Sequence, residues 1–237
     1  MMGFQSACFN VRDMRATITL TGVRTVLEVA CAEKPISYEG LAAAIGSSHN
    51  NTYMQVAALS DGHAGQPGAG MLERIRGEDR NRIHLILTSE GRALVKNFTD
   101  AIDGCSTQYL RHAIIPAINA PRQLKANMTL GAFCVLLYID RNADRFDNGE
   151  ASGIIASDLN LSNLPRILYL LSNGTEARSG LGLVDLPRAA DRRKVVPRLT
   201  MAGRHLLSDI ANILEAGSPH LEPNIFKDEV AHCAFEP

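Results

Sequence analysis

Two short stretches of the chain contain polar side chains suited to pairing with the edges of nucleic-acid bases. Asn and Gln can bind adenine through two hydrogen bonds at once, and Arg can bind guanine in the same way. The candidate residues are Ser48, Asn50, Asn51, Thr52 and Gln55 in the first stretch and Ser162, Asn163 and Arg166 in the second. Capping and turn roles explain Ser48, Asn50 and Ser162 equally well.

Two charged segments supply cations that can contact phosphates or enter a minor groove. These cations are Arg80 and Arg82 in the first segment and Arg192, Arg193 and Lys194 in the second. Residues 183–205 contain six Lys and Arg side chains against two Asp, although the whole chain has a net charge of -1. A solvated charged surface is the alternative interpretation of both segments.

The charged segments belong to an internal repeat. The stretch GEDRNRIHLILTSEGRALV covers residues 77–95, and AADRRKVVPRLTMAGRHLL covers residues 189–207, with Asp-Arg, Leu-Thr and Gly-Arg pairs 112 positions apart. Two copies of one small domain are the simplest explanation. The predicted division is a first domain over 1–98, a helical connector over 99–126, a second domain over 127–216 and a tail over 217–237.

Each copy is predicted to form a helix-turn-helix, then a β-hairpin and a closing helix. A first helix follows each Thr-Leu pair, at Thr19 and at Thr129. Caps and apolar spacing predict further helices, and alternation of apolar and polar residues predicts the hairpins. The expected bounds are 37–45 and 48–59 for helices of the first copy, 162–171 for the matching helix of the second copy, and 72–88 and 184–200 for the hairpins.

The connector is expected to be helical to about His112 and then broken or bent by Pro116 and Pro121. Its apolar residues indicate that it packs against other parts of the chain. Among the five cysteines, Cys31 and Cys134 lie in apolar helical patterns and are expected to be buried, whereas the terminal location of Cys8 and Cys233 is compatible with exposure.

The hairpin segments resemble a known family of bacterial proteins. The stretch GMLERIRGEDRNRIHLILTSEGRALV is similar to the wing and following helix of MarR-family transcription regulators, and GLVDLPRAADRRKVVPRLTMAGRHLL is similar to the same pattern. The resemblance implies a mainly α fold with small β-hairpin wings (α+β), built as two tandem winged helix-turn-helix domains. It also implies double-stranded DNA as the partner, with the wing cations and second helices as its contacts.

The fused copies depart from the usual member of that family, which has one such unit and dimerises through terminal helices. A homodimer and a small-molecule effector therefore stay open. Each predicted hairpin also follows a glycine-containing segment, DGHAGQPGAG or NGTEARSGLG.

Enzyme classes find little support in the sequence. The glycines at 65–70 lack the context of a phosphate-binding loop, and no histidine pairs with Cys or a carboxylate at a metal-ligand spacing. We therefore expect no catalytic activity, cofactor or metal. The chain has no apolar run near the roughly 20 residues needed to cross a bilayer and no secretion signal, so we expect a cytoplasmic protein.

Two alternatives to a transcription regulator remain. A plasmid-type replication initiator also joins two winged helices in one chain. A winged-helix protein-interaction module would retain the fold without salt-dependent binding to DNA.

Overall fold

The computed structural model describes residues 1–63, 65–77, 82–102, 105–146, 151–175, 178–187 and 195–217. Over these residues the protein is mainly helical, with small antiparallel sheets. The predicted combination of helices with small β-hairpins is confirmed at this level. No helix in the described ranges is long and apolar enough to cross a membrane.

Eleven α-helices make up most of the described chain. They are α1 (Met2–Met14), α2 (Leu20–Ala30), α3 (Tyr38–Ile45), α4 (His49–Leu59), α5 (Ser89–Ala101), α6 (Thr107–Tyr109), α7 (Ile115–Leu124), α8 (Leu130–Arg141), α9 (Ala151–Asp158), α10 (Leu164–Leu171) and α11 (Met201–Ala216). A π-helical turn, Leu110–Ile114, joins α6 to α7, and a 3-10 turn, Ala143–Arg145, follows α8.

The strands are short and pair only in antiparallel fashion. They are β1 (Ile36–Ser37), β2 (Gly62–His63), β3 (Gln66–Pro67), β4 (Leu72–Arg76), β5 (Ile83–Leu87), β6 (Gly174–Thr175), β7 (Arg178–Ser179), β8 (Val184–Asp185) and β9 (Arg198–Leu199). Strands β4 and β5 form the first predicted hairpin, with β1 added beside β5, and β8 pairs with β9 at the base of the second. The tip of the second hairpin lies outside the described residues.

Threonine caps begin the corresponding helices of both copies, as the repeat predicts. Thr19 accepts a hydrogen bond from the N–H of Gly22 at the start of α2, and Thr129 accepts one from Ala132 at the start of α8. Thr88 and Thr200 cap α5 and α11 in the same way. The cap satisfies a backbone N–H that has no partner within the helix.

The repeated Leu-Thr-x-x-Gly pattern forms the junction between each hairpin and its closing helix. The hydroxyl of Thr88 donates to the carbonyl of Gly70 at 2.6 Å, and that of Thr200 donates to Gly182 at 2.7 Å. A Cβ added to Gly91 would lie 2.2 Å from the backbone oxygen of Met71. The glycine is therefore needed because the chain entering the hairpin passes directly over the helix.

The arginine that follows this glycine has the same role in both copies. Arg92 donates to the carbonyl of Leu87 at 2.8 Å, and Arg204 donates to Leu199 at 2.7 Å. These two arginines bind the end of the last hairpin strand to the closing helix. The repeated Gly-Arg pair is thus explained by local structure.

The two copies meet across an approximate two-fold arrangement of backbone bonds. Leu20 N–H donates to the carbonyl of Met128 at 2.9 Å, and Leu130 N–H donates to Ile18 at 2.8 Å. These bonds flank an antiparallel bridge between Thr19 and Thr129. The starts of α2 and α8 are therefore joined directly.

A leading helix precedes each copy and packs on both of them. Helix α1 packs on α5 of the first copy and on α8 of the second, while α7 packs on α11 of the second copy and on α2 of the first. The ring of Phe4 in α1 lies 6.4 Å from Phe98 of α5 and 6.2 Å from Phe133 of α8. One continuous buried core thus joins the two copies.

The connector departs from its predicted form. Helix α7 continues through Pro121 to Leu124, with Pro116 in its first turn. The N–H of Ile115 bonds to the carbonyl of Leu110 across the π-helical turn, so the bonding pattern shifts just before the proline that has no N–H. Burial of the apolar face of α7 against two other helices offsets the cost of Pro121.

The structure confirms that Cys31 and Cys134 are buried but corrects the expectation for Cys8. Cys8 is fully buried in α1, and its carbonyl oxygen lies 3.5 Å from Sγ of Cys134. Burial raises the pKa of the Cys134 thiol to about 12, which makes it a packing group at neutral pH. Cys233 lies outside the described residues.

Candidate nucleic-acid interface

The helix pair of the first copy, α3 and α4, is built by three local signals. Ser37 caps α3 through a bond to Gly40, and Gly46, in the left-handed conformation at φ 63°, ends it. Ser48 then caps α4 by accepting from the N–H of Asn51 at 3.3 Å. The predicted bounds of both helices are confirmed.

The first turns of α4 present several of the predicted side chains to solvent. Asn50 and Asn51 are exposed, and Gln55 is half-buried one turn further along. Ser48 is exposed as well, but its hydroxyl is engaged as the helix cap. The amides of Asn50 and Asn51 are therefore the most accessible hydrogen-bonding groups among the predicted contacts on α4.

Thr52 does not belong to this surface, which corrects the prediction for that residue. It is fully buried, and its hydroxyl donates to the carbonyl of Ser48 at 3.0 Å. The helical repeat of 3.6 residues turns position 52 toward the core when positions 50 and 51 face solvent. Thr52 therefore packs α4 against its own copy.

Replacement of the capping serine is expected to lower stability without changing base preference. Ser48→Ala removes the acceptor for the N–H of Asn51 and should cost about 1 kcal/mol of the free energy of unfolding. Ser48→Asp keeps an acceptor at the cap and is the matched control. Urea unfolding of both variants tests this, and equal stability of Ser48→Ala and the parent would contradict a capping role.

The matching helix of the second copy has a different exposed face. Helix α10 begins at Leu164, two residues later than predicted, with Pro165 in its first turn where no N–H is required. Ser162, Asn163 and Arg166 are all exposed. Asn163 occupies the capping position, but its side chain makes no capping hydrogen bond.

Only some of the predicted hairpin cations lie within the described residues. Arg82 is exposed immediately before β5, and Arg76 at the end of β4 is exposed as well. Arg76 is a cation that the sequence interpretation missed, although successive side chains of a strand point to opposite faces, which puts positions 74 and 76 of LERIR on the same face. The predicted contacts Arg80, Arg192, Arg193 and Lys194 lie outside the described residues.

An aromatic and cationic cluster connects the first hairpin to α4. The guanidinium of Arg74 lies 5.8 Å from the ring centre of Tyr53 and 3.2 Å from a carboxylate oxygen of Asp61. Tyr53 stacks on Tyr38 with ring centres 6.0 Å apart. Burial raises the pKa of Tyr38, against the opposing effect of Arg74. The hairpin base and the exposed face of α4 are therefore held together by Arg74.

Sequence reasoning also missed a small hairpin between the helix pair and the larger hairpin in each copy. Gly62 pairs with Pro67, and Gly174 pairs with Ser179 at positions 112 residues later. Beyond each small hairpin the chain bonds back to the preceding helix, through Met71 N–H to Leu59 in the first copy. The glycines at positive φ in both segments were the available signal.

Comparison with known proteins identifies no related family. The chain matches no protein-family model and no curated protein. Among the described residues, no group of three or more His, Cys, Asp or Glu side chains is placed to hold a metal ion.

Proposed function

We propose that this protein is a sequence-specific double-stranded DNA-binding transcription regulator that uses two non-identical winged-helix units in one chain. In this proposal α4 and α10 are the recognition helices, and the hairpins β4–β5 and β8–β9 are the wings. A recognition helix fits the major groove, while a narrow wing can reach phosphates or the minor groove. The resemblance to MarR-family regulators supports the same assignment.

One observation carries the proposal: each copy presents the exposed first turn of a short helix that is followed along the chain by an antiparallel β-hairpin, and the two copies meet across an approximate two-fold arrangement of backbone bonds. The exposed side chains are Asn50 and Asn51 in one copy and Asn163 and Arg166 in the other. Amide and guanidinium groups are the types that bind bases through paired hydrogen bonds. The two copies together suit a DNA site with two halves.

The packing of the leading helices supports a single chain as the complete binding unit. MarR-family regulators, which this chain resembles, build their dimers from terminal helices. Here α1 and α7 each pack on a helix of the other copy, and the core is continuous between copies. A second chain is therefore not needed to supply a second recognition helix.

Selection of bound sequences from a random duplex library, followed by measurement of stoichiometry, tests the proposal. We expect one chain per duplex and a site with two unlike halves whose centres lie about 34–36 Å apart, or a multiple of that distance. Binding should weaken steeply with salt because phosphate contacts release counterions. Two chains on one selected duplex would contradict the single-chain unit.

Other results of the same selection would favour the alternatives. Directly repeated sites that accumulate chains one after another would point to a replication initiator. Absence of salt-dependent duplex binding would point to a protein-interaction module and refute the proposed function.

A further inference from the structure

The last carbonyl groups of α3 are satisfied by two arginines that come from different copies. Within the α3 end itself, Ser47 N–H bonds to the carbonyl of Ala42 and Gly46 N–H bonds to Ala43. The next carbonyl, that of Ala44, accepts from Arg24 Nη2 at 2.7 Å. A helix end leaves four carbonyls without intrahelical partners, so the cap of α3 is incomplete without side chains from elsewhere.

The final carbonyl of α3, that of Ile45, is shared by both arginines. Arg24 Nη1 of the first copy lies 3.2 Å from it, and Arg122 Nη2 of α7 lies 3.3 Å from it. Cations near a helix C-terminus also interact favourably with the helix dipole. Helix α7, which leads the second copy, is thus bonded directly to the recognition helix pair of the first.

Asn119, also on α7, brings the two cations together. Its side-chain oxygen accepts from Arg24 Nη1 at 2.7 Å and from Arg122 Nη1 at 2.7 Å. Glu28 lies 3.2 Å from Arg24 Nε and supplies an anion. Burial lowers the pKa of Arg122, and the neighbouring Arg24 lowers it further. Arg24 reaches both carbonyls of α3 from its own copy, and Arg122 adds a second donor to the carbonyl of Ile45 from α7, with Asn119 bonded to both guanidinium groups.

The end of the corresponding helix in the second copy, α9, has different hydrogen bonds. In the turn after α9, Asn160 is in the left-handed conformation at φ 45°, and Leu161 N–H bonds to the carbonyl of Ala156, as Ser47 does to Ala42 in the first copy. There Tyr138 of α8 donates to the carboxylate of Asp158. This bond stays within the second copy.

The corresponding arginine of α1, Arg12, has different partners. Arg12 precedes Thr19 by the same number of residues as Arg122 precedes Thr129, yet it pairs with the adjacent Asp13 and lies over the ring of Phe9. Phe9 stands at the position that corresponds to Asn119. Among the described contacts, the bond between a leading helix and the end of such a helix is therefore made in one direction only, from α7 to α3 of the first copy.

We infer that Arg122 and Asn119 are positioning residues that fix the helix pair α3 and α4 of the first copy from the leading helix of the second, whereas the side-chain bond described at the end of α9, from Tyr138, comes from within the second copy. This inference rests on the proposed function for its effect on DNA. Its structural part concerns α3 and α4 alone and can be measured without DNA.

Hydrogen exchange of the DNA-free full chain tests the structural part. Arg122→Ala should speed amide exchange in residues 38–59 by about tenfold or more, because its charge-assisted hydrogen bond to Ile45 at the end of α3 is lost, and leave residues 151–171 unchanged. Tyr138→Phe should speed amide exchange in residues 151–171 and leave residues 38–59 unchanged. Arg122→Lys keeps the charge but not the planar fork and should give an intermediate rate; it also replaces Arg122→Ala if that variant does not fold. Equal acceleration in both copies, or none, would overturn the inference.

Binding to the selected duplex tests the functional part. Arg122→Ala should reduce base discrimination by about tenfold at the half-site bound by α4 only, with an unchanged salt slope, since no phosphate contact is removed. Loss at both half-sites would indicate general destabilisation and overturn the inference. If the parent chain binds no duplex, the proposed function fails while the exchange result still decides the positioning of α3 and α4.

Discussion

Asn51→Ala and Arg166→Ala are each expected to relax base preference at a different position of the same DNA site. Each should reduce discrimination by about 1–3 kcal/mol if the side chain makes a paired contact with a base. Asn51 lies on the exposed start of α4, and Arg166 lies on the exposed start of α10. Because the two helices carry different side chains, the two halves of the site should respond to different substitutions.

Competition binding with duplexes altered at one base pair at a time measures this. Arg141→Ala, which removes an exposed arginine from another helix, is the matched control and should leave base preference unchanged. A selected site that is one simple palindrome, with both halves responding equally to either substitution, would contradict the prediction. Equivalent half-sites cannot be distinguished by unlike helices of one chain.

Gly91→Ala and Gly203→Ala are expected to be among the most destabilising single-methyl additions in the chain. The added Cβ would lie 2.2 Å from the backbone oxygen of Met71 in the first copy and 2.2 Å from that of Leu183 in the second. A backbone oxygen cannot turn aside as a flexible side chain can. The chain leading into the hairpin must shift, and we expect a loss of about 1–3 kcal/mol in the free energy of unfolding.

Gly153→Ala provides the matched control for these variants. Gly153 is also helical, in α9, and nothing lies within 4 Å of the Cβ that alanine would add. Alanine should therefore stabilise this helix by about 0.5–1 kcal/mol. Urea unfolding of the three variants measures the two expected losses and the one expected gain in the free energy of unfolding. If Gly153→Ala were as destabilising as the other two, the close approach at the junction would not be the cause of their lower stability.

Local patterns in the sequence were sufficient to predict the helix pair and the hairpin of each copy. Ser37, Ser48 and the threonine before each closing helix act through bonds to residues three positions later, so their effect is visible in a short stretch of sequence. The hairpin alternation is equally local. The base contacts and wing cations remain predictions.

The boundary between the copies was harder to predict, because the two copies differ in length. Leading helices α1 and α7 end in matching stretches, RDMRATITL and RQLKANMTL, that are 110 residues apart, whereas the hairpin anchors are 112 apart. A search at the spacing of the hairpin anchors therefore misses the leading helices. The structure shows α7 in the position relative to its copy that α1 has in the other.

The caps, the helix pairs and the hairpins depend on residues a few positions apart, and the repeat appears as two similar stretches, so the sequence is enough to predict all of these features. The burial of Thr52 and Cys8, the continuation of α7 through Pro121 and the contact of Arg122 with the end of α3 become visible only in the folded chain. These features depend on contacts between residues far apart in the chain. Burial of an apolar face can offset a helix-breaking residue, and a buried carbonyl can select an arginine from another copy, but neither effect leaves a local pattern.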